Sequence, residues 1–427
     1  MACKNCKSNK LVKVFKLGKQ TISSVFNSTK KFNQKKYSLD LYSCQSCKLV
    51  QFKNLAPLNE MYGETYGYRT SLSKLMVRHI KEKYSKILKY ISLSVKDYIL
   101  DIGSNDGTFL NIFAKNNFQN LIGIDPSSEK FKQYYHKKIS VFSDFFPSTD
   151  LNKFIKNKID AKVKFKLISS FAMFYDIEKP DIFCKEIYNL LDKEGIWISE
   201  FSYFPLLLKN LTYDQICHEH VTYYSLSTFK SVVEKQKFKI IDISFNQING
   251  GSIEVICAKQ NSKIKSNSKK INSILKEEYE KINTDSFENL QTRVDNTKNV
   301  LNFVLSNIKS SDIIGYGAST KGNIVLNQCG LTSKNISFIC DENPYKYGRY
   351  TPGSNIKIIS KKEMRKIRPK YLLVLIWSFR KEVILQELDY LKKGGKMIFH
   401  LPSLHIIDKD NYKNFLNKDF KEFAFDY

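Results

Sequence analysis

Residues 213–225 read YDQICHEHVTYYS and set His218, Glu219 and His220 side by side between aromatic residues, in a chain with six histidines. Imidazole titrates nearest neutrality of the common side chains, so such a cluster suits metal ligation or proton transfer. In an extended segment His218 and His220 share one face and, with a distant third ligand, could hold a metal. A satisfied structural pair is the plainer alternative. Proton abstraction is the third reading: neutral His is the usual base near pH 7, a neighbouring Glu can orient it, and nearby Tyr hydroxyls can donate to a developing oxyanion.

Cys3, Cys6, Cys44 and Cys47 form two C-x-x-C pairs, whereas Cys184, Cys217, Cys257, Cys329 and Cys340 stand alone. Two knuckles of two thiolates close a tetrahedral zinc site, and four thiolates leave no open position for catalysis. The zinc is therefore expected to be structural. The interval between the knuckles exceeds that of a minimal ribbon, so a hairpin or excursion must fill it.

A third group lies in YILDIGSNDGTFLNIFAK, Tyr98 to Lys115, an apolar strand followed by a Gly-containing turn and an amphipathic helix. The turn, Asp101 to Gly107, includes Gly103, Ser104, Asn105 and Asp106, and it lacks the G-x-G-x-x-G of a dinucleotide site. The next strand, NLIGID, ends in Asp125, placed to grip a ribose diol. Asp144 and Phe145, in SDFF, are a candidate adenine wall. Together these resemble the motifs of class I S-adenosylmethionine methyltransferases, in which there is no pyrophosphate to cradle.

The elements that must position these groups alternate between strand and helix. After the Asp101 turn come KFKLISSFAMFYDI (strand and loop), PDIFCKEIYNLLDKEG (a helix ending at Gly195), IWISEFSYF (strand) and FKIIDISFNQINGGSIEVICAKQ (a closing pair of strands). Such alternation predicts a doubly wound parallel sheet. The whole is an α/β chain in four parts: a zinc-binding module at 1–55, a Rossmann-like methyltransferase domain at 56–259, a Lys-, Asn-, Ser- and Glu-rich helical connector at 260–310, and a second, smaller Rossmann-like domain at 311–427.

The totals agree. At 427 residues and 42% apolar residues the chain is long enough for two or three cores. No run of about 18 apolar residues appears, so no spanning helix or membrane partner is expected. The start, MACKNCKSNK, lacks a secretory h-region, and a cytoplasmic location is expected. The net charge of +27 is nearly all Lys, dispersed along the chain, while Arg is scarce. A nucleic-acid partner is not expected from this pattern, whereas an anionic small substrate suits it.

Taken in order, the four-cysteine module, NDG after the strand, YDQICHEH, GYGASTKGN and DENPYKYGRYTPG resemble the three-domain sugar C-methyltransferases that act on nucleotide-linked 4-keto-deoxyhexoses. The likeness covers nearly the whole chain. It implies S-adenosylmethionine as methyl donor, structural Zn2+ and a nucleotide-sugar substrate. It also implies a base that takes the proton beside the C4 ketone, so that the enolate carbon attacks the sulfonium methyl. The base falls on His220, with Glu219 and His218 in the same pocket, and Tyr66 or Tyr68 reaches the sugar. The chain departs from the pattern twice. Cys217 stands where many relatives carry Tyr, and SSFAMFYDI lacks their loop histidine, a place Tyr175 can fill. In the second Gly loop, Lys321 or Arg349 could meet a diphosphate; equally, the domain could be a scaffold closing over the substrate. The rival readings are O- or N-methylation of a small molecule or RNA, a non-catalytic binding protein, and a nicotinamide oxidoreductase built on the second Gly loop.

Overall fold

The computed structural model describes residues 2–61, 68–160 and 163–417. Five short strands lead the chain: β1 (Leu11–Phe15), β2 (Lys19–Thr21), β3 (Lys36–Ser38), β4 (Leu41–Cys44) and β5 (Val50–Phe52). β1, β4 and β5 make an antiparallel sheet, and the β2–β3 hairpin fills the interval between the two C-x-x-C pairs.

The middle of the chain carries β6 (Tyr98–Ile102), β7 (Asn120–Ile124), β8 (Ile139–Phe142), β9 (Phe165–Phe171), β10 (Leu191–Ser202), β11 (Thr222–Tyr223), β12 (Phe238–Asn246) and β13 (Ser252–Lys259). All but β11 join one sheet in the order β12-β13-β10-β9-β6-β7-β8, in which β13 runs antiparallel to both its neighbours. β6, β7 and β9 are buried nearly end to end, as strands covered by helices on both faces must be. One boundary differs from expectation. The helix Pro180–Leu190 stops before the expected Gly195: Leu191 is already extended and opens β10, within which the Asp192 carboxylate accepts the Glu194 N–H at 2.9 Å.

β11 does not join this sheet. It pairs antiparallel with β5, Thr222 opposite Gln51 and Tyr223 opposite Val50, and the Phe52 N–H donates to the Val221 carbonyl at 3.1 Å. The strand directly after the histidine cluster is therefore the edge of the N-terminal module's sheet.

Two helices, Ser268–Lys281 and Thr284–Ser306, occupy the expected connector; the Asn267 and Asn283 side chains cap their first turns. The last sheet contains β14 (Ile313–Tyr316), β15 (Phe338–Asp341), β16 (Ile358–Ser360), β17 (Tyr371–Val374), β18 (Lys396–Phe399) and β19 (His405–Ile407). Its order, β16-β15-β14-β17-β18-β19, is that of a doubly wound nucleotide fold, with β19 antiparallel at one edge. One apolar core runs from Phe15, Leu41 and Phe52 through Phe204 and Tyr213 to Ile314 and Leu372 of this sheet. Among the described residues no helix is long and apolar enough to cross a membrane.

Candidate active site

A cleft of about 410 Å³ opens at the carboxyl ends of β6, β7 and β9. Asp101, Gly103, Ser104 and Asn105 form one wall, Asp125 the end, and Asp144 with Phe145 a second wall. Two backbone amides fix the Asp125 carboxylate: Asn105 N–H donates to Oδ2 at 3.0 Å and Ser127 N–H to Oδ1 at 2.7 Å. Burial raises its pKa, and these hydrogen bonds hold it back. Asp101 is pushed up to about 7, chiefly by burial, although the Ser169 hydroxyl donates to it at 2.6 Å. Gly103 adopts φ +75°, and a Cβ there would meet Met173 Cγ at 3.0 Å, so the turn requires glycine.

Asp106 and Gly107 do not line the cleft. The Asp106 carboxylate accepts from the Ser71 N–H at 2.9 Å and from Thr108, while Gly107 packs its backbone on the Tyr135 ring. The Asn105 side chain accepts from the Thr70 N–H at 2.9 Å and donates to the Tyr68 carbonyl at 3.1 Å. These bonds tie residues 68–71 across the cleft, so Tyr68, half-exposed, lines it. Tyr66 lies outside the described residues. The residues present fit S-adenosylmethionine: a fixed carboxylate at the end of β7 suits a ribose diol, and Phe145 offers a flat apolar face to a purine.

The four paired cysteines converge. Their sulfurs lie within 4.8 Å of one another, Cys3 to Cys47 and Cys6 to Cys44 at 3.5 Å. Zn–S bonds of about 2.3 Å in a tetrahedron require sulfurs about 3.8 Å apart, so the site fits zinc. The knuckles are built alike. Lys7 N–H donates to Cys3 O and Lys48 N–H to Cys44 O, and each lysine adopts φ +63°.

The histidine cluster is a turn and not an extended strand, closed by the His220 N–H to the Cys217 carbonyl at 3.1 Å. The period of two therefore fails, and the imidazoles face different surroundings. His220 packs against Tyr175, ring centroids 4.1 Å apart and planes tilted by 46°; neither ring lines the cleft, whereas Met173 and Asp176, which flank Tyr175 in sequence, do. Burial, with a smaller push from the Lys321 ammonium, holds His220 down to about 3, so it is neutral at working pH. His218 turns to the N-terminal module, its ring edge-on to Tyr37 at 6.2 Å, and is also held low by burial. This departs from the expectation of one shared pocket. Neither the His218 nitrogens nor the Glu219 carboxylate oxygens have a hydrogen-bond partner among the described residues. Among those residues the four cysteines form the one grouping with converging metal-ligand atoms.

Cys217 is buried, and its thiol is pushed well up by that burial. Lys321 donates to Asn249 Oδ1 at 2.8 Å, and Arg349 donates to the carbonyls of Tyr345 and Phe26 at 2.9 and 3.3 Å. Arg349 thus ties the β2–β3 excursion to the C-terminal domain. Sequence reasoning missed Asp214, Gln215, Asn249 and Trp377, which meet beside the histidine turn. The signal for them was N-G-G at 249–251, a turn tolerating positive φ between two strands.

Comparison with known proteins gives matches along nearly the whole chain. Residues 3–62 match the family described as "Putative zinc binding domain", residues 76–243 "Methyltransferase domain" and residues 247–402 "C-methyltransferase C-terminal domain". The C-methyltransferase NovU of Streptomyces niveus is 26% identical over 384 residues, covering 88% of this chain and 89% of the relative. Among solved structures, the PH0226 protein of Pyrococcus horikoshii OT3 is 16% identical and covers 45% of this chain and 94% of its own, at a TM-score of 0.35. The plantazolicin methyltransferase BpumL is 15% identical and covers 44% and 87%, also at 0.35. Likenesses this loose carry no argument. The three matched domains in this order, over a donor cleft and a convergent four-sulfur site, make the chain an S-adenosylmethionine-dependent C-methyltransferase with a structural zinc site.

Proposed function

We propose that the chain methylates a carbon next to the ketone of a nucleotide-linked 4-keto-deoxy sugar, with His220 as the base. The observation that carries this reading is the contact of His220 with Tyr175, whose sequence neighbours Met173 and Asp176 line the donor cleft. A carbon nucleophile must lose a proton before it attacks, and a neutral imidazole beside the methyl donor can take it. S-adenosylmethionine supplies an electrophilic methyl on a sulfonium. His220 accepts the α-proton on an imidazole nitrogen, and the C–H electron pair passes into the enolate. The enolate carbon then bonds the methyl as the C–S bond breaks, S-adenosylhomocysteine departs, and His220 returns its proton to solvent. Tyr175 and Tyr68 are the hydroxyls assigned to the sugar, and Glu219 sits beside the base. Asp101 to Asn105, Asp125, Asp144 and Phe145 are assigned to the donor. The dispersed lysine charge favours an anionic nucleotide-linked substrate.

Mass spectrometry of products from a panel of nucleotide-linked 4-keto sugars tests the substrate class. His220→Ala should abolish methylation, at least a thousandfold, and leave calorimetric binding of S-adenosylmethionine within twofold. Undiminished turnover would remove His220 as the base.

A further inference from the structure

The donor cleft extends over the ends of several strands. Asp125 stands at the end of β7, with Asp144 and Phe145 beyond it after β8, whereas Glu200 lines the cleft from near the end of β10. In the sheet order β10-β9-β6-β7, three steps part Glu200 from Asp125, about 14 Å at the ordinary strand spacing. The wall beside Glu200 includes Phe171 and, from the helix Lys74–Ile87, Met76 and Ile80, all apolar. Into this wall the chain sets a charged network. His79 Nε2 lies 2.9 Å from Glu200 Oε1 and 3.0 Å from Oε2, Asn246 Nδ2 donates to Oε2 at 2.6 Å, and Lys83 ion-pairs with the same oxygen. Lys83 also reaches Glu254, directly opposite Glu200 on β13, and Lys86 pairs with Glu254 in turn. Burial opposes the charge on Glu200, but Lys83 and His79 outweigh it and hold the carboxyl down to about 2. Replacing such a buried set by apolar residues is often neutral or stabilising, so stability alone gives no reason for it.

We propose that Glu200 binds the α-ammonium of the methionine arm of S-adenosylmethionine, with Lys83, His79 and Asn246 positioning its carboxylate, so that the donor is held at both ends of the cleft. The proposal rests on the reading of Asp125, Asp144 and Phe145 as the nucleoside end. Oε2 of Glu200 accepts from Lys83 and Asn246, whereas Oε1 meets the His79 ring alone among the described residues and keeps acceptor capacity. An ammonium is the group that such an anion in an apolar wall recognises, through a charge-assisted hydrogen bond. The methionine arm leaves the ribose on the side away from the purine, as Glu200 lies from Asp125 on the side away from Phe145. Between the two acids lie the ends of β6 and β9, and the loop after β9 carries Tyr175, against which His220 packs. A donor fixed at Asp125 and Glu200 therefore has its reactive middle beside that loop.

The test is calorimetry on the full-length, zinc-loaded protein with no sugar present. It compares S-adenosylhomocysteine with an analogue that lacks the amino group and is otherwise the same. The parent should bind the amino compound about tenfold or more tightly than the analogue. Glu200→Gln removes the charge. It should weaken S-adenosylhomocysteine about tenfold or more and leave the deaminated analogue within about twofold of its parent affinity, since the lost contact is one that the analogue never made. A role in packing alone would weaken both compounds alike, and that result overturns the proposal. Equal binding of the two compounds by the parent also overturns it, without any substitution. If Glu200→Gln does not fold, Glu200→Asp keeps the charge beside Lys83 and draws it back from the cleft, with the same selective loss expected. Asp125→Asn should weaken both compounds, because both carry the ribose. An Asp125→Asn protein that binds both as the parent does overturns the nucleoside assignment, whereas an unselective Glu200 variant overturns the ammonium site, so the two failures are distinguishable.

Discussion

At Asp125 the side chain and the backbone are fitted to each other. The Asn105 amide donates to Oδ2, and the Ser127 amide and hydroxyl both donate to Oδ1, so the group is aimed before any ligand arrives and Oδ2 keeps a free lone pair. Burial raises the cost of its charge, which a hydrogen-bonding diol would offset. Asp125→Asn keeps the shape but loses the charge and one acceptor. It should weaken S-adenosylmethionine binding at least tenfold, since hydrogen bonds to charged groups contribute about 1.5–3 kcal/mol. Isothermal calorimetry measures this, and an affinity within twofold of the parent would remove Asp125 from the donor site. Asp101, lacking amide donors, is pushed up to about 7 by burial, so it is partly protonated at neutral pH. Donor affinity should depend on pH around that value if the charged form is the one that binds.

At the scale of elements, the histidine turn owes its place to two foreign sheets. β11 borrows its partner, β5, from the zinc module, and the second knuckle, Cys44 and Cys47, lies between β4 and β5. Zinc can thereby reach the catalytic loop without touching substrate. Removing it by chelation, or by Cys47→Ser, should raise amide hydrogen exchange at Val50–Phe52 and Thr222–Tyr223 together. Methylation should fall at least a hundredfold, while donor binding, which depends on the middle sheet, stays within twofold. A β11 that remains protected after zinc loss would refute the coupling. This dependence was hidden in the sequence. The cysteine spacing and the strand–turn–acid pattern of Asp101 and Asp125 are local, so their chemistry could be read from adjacent residues. The pairing of Thr222 with Gln51, and of Lys321 with Asn249, joins residues far apart in sequence, which no local period encodes. The same limit explains the histidines. Alternation places His218 and His220 on one face of a strand, but the anchors on either side fold the segment into a turn and send His218 to Tyr37.

For the whole molecule, the continuous apolar core commits the zinc module and the C-terminal sheet to each other, and it buries histidines in neutral form. His220 and His400 are held down to about 3 and His405 to about 4, in each case first by burial. An unfolded chain binds these protons below about pH 6.5, whereas the folded one does not until pH 3–4. Stability is therefore fully present above the unfolded value and falls as the pH drops below it. Each histidine removes about 1.4 kcal/mol per pH unit in that window. Asp101 acts oppositely, since its folded pKa of about 7 lets the folded state keep a proton that the unfolded state releases above about pH 4. His218, also held low by burial, is a fourth such histidine, while burial raises Asp125, Asp214 and Glu382 in the same sense as Asp101; the histidine loss begins near pH 6, before the carboxylates with depressed pKa values, such as Glu200 at about 2, are titrated. Thermal unfolding between pH 7 and 5 should show Tm falling over this range. His400 is fully buried in the C-terminal domain, with neither ring nitrogen hydrogen-bonded among the described residues, so it isolates the effect from the proposed chemistry. His400→Leu should flatten the slope of stability against pH by about 1.4 kcal/mol per unit below pH 6. An unchanged slope would mean that His400 stays accessible to protons in the folded chain, contrary to its place at the end of β18.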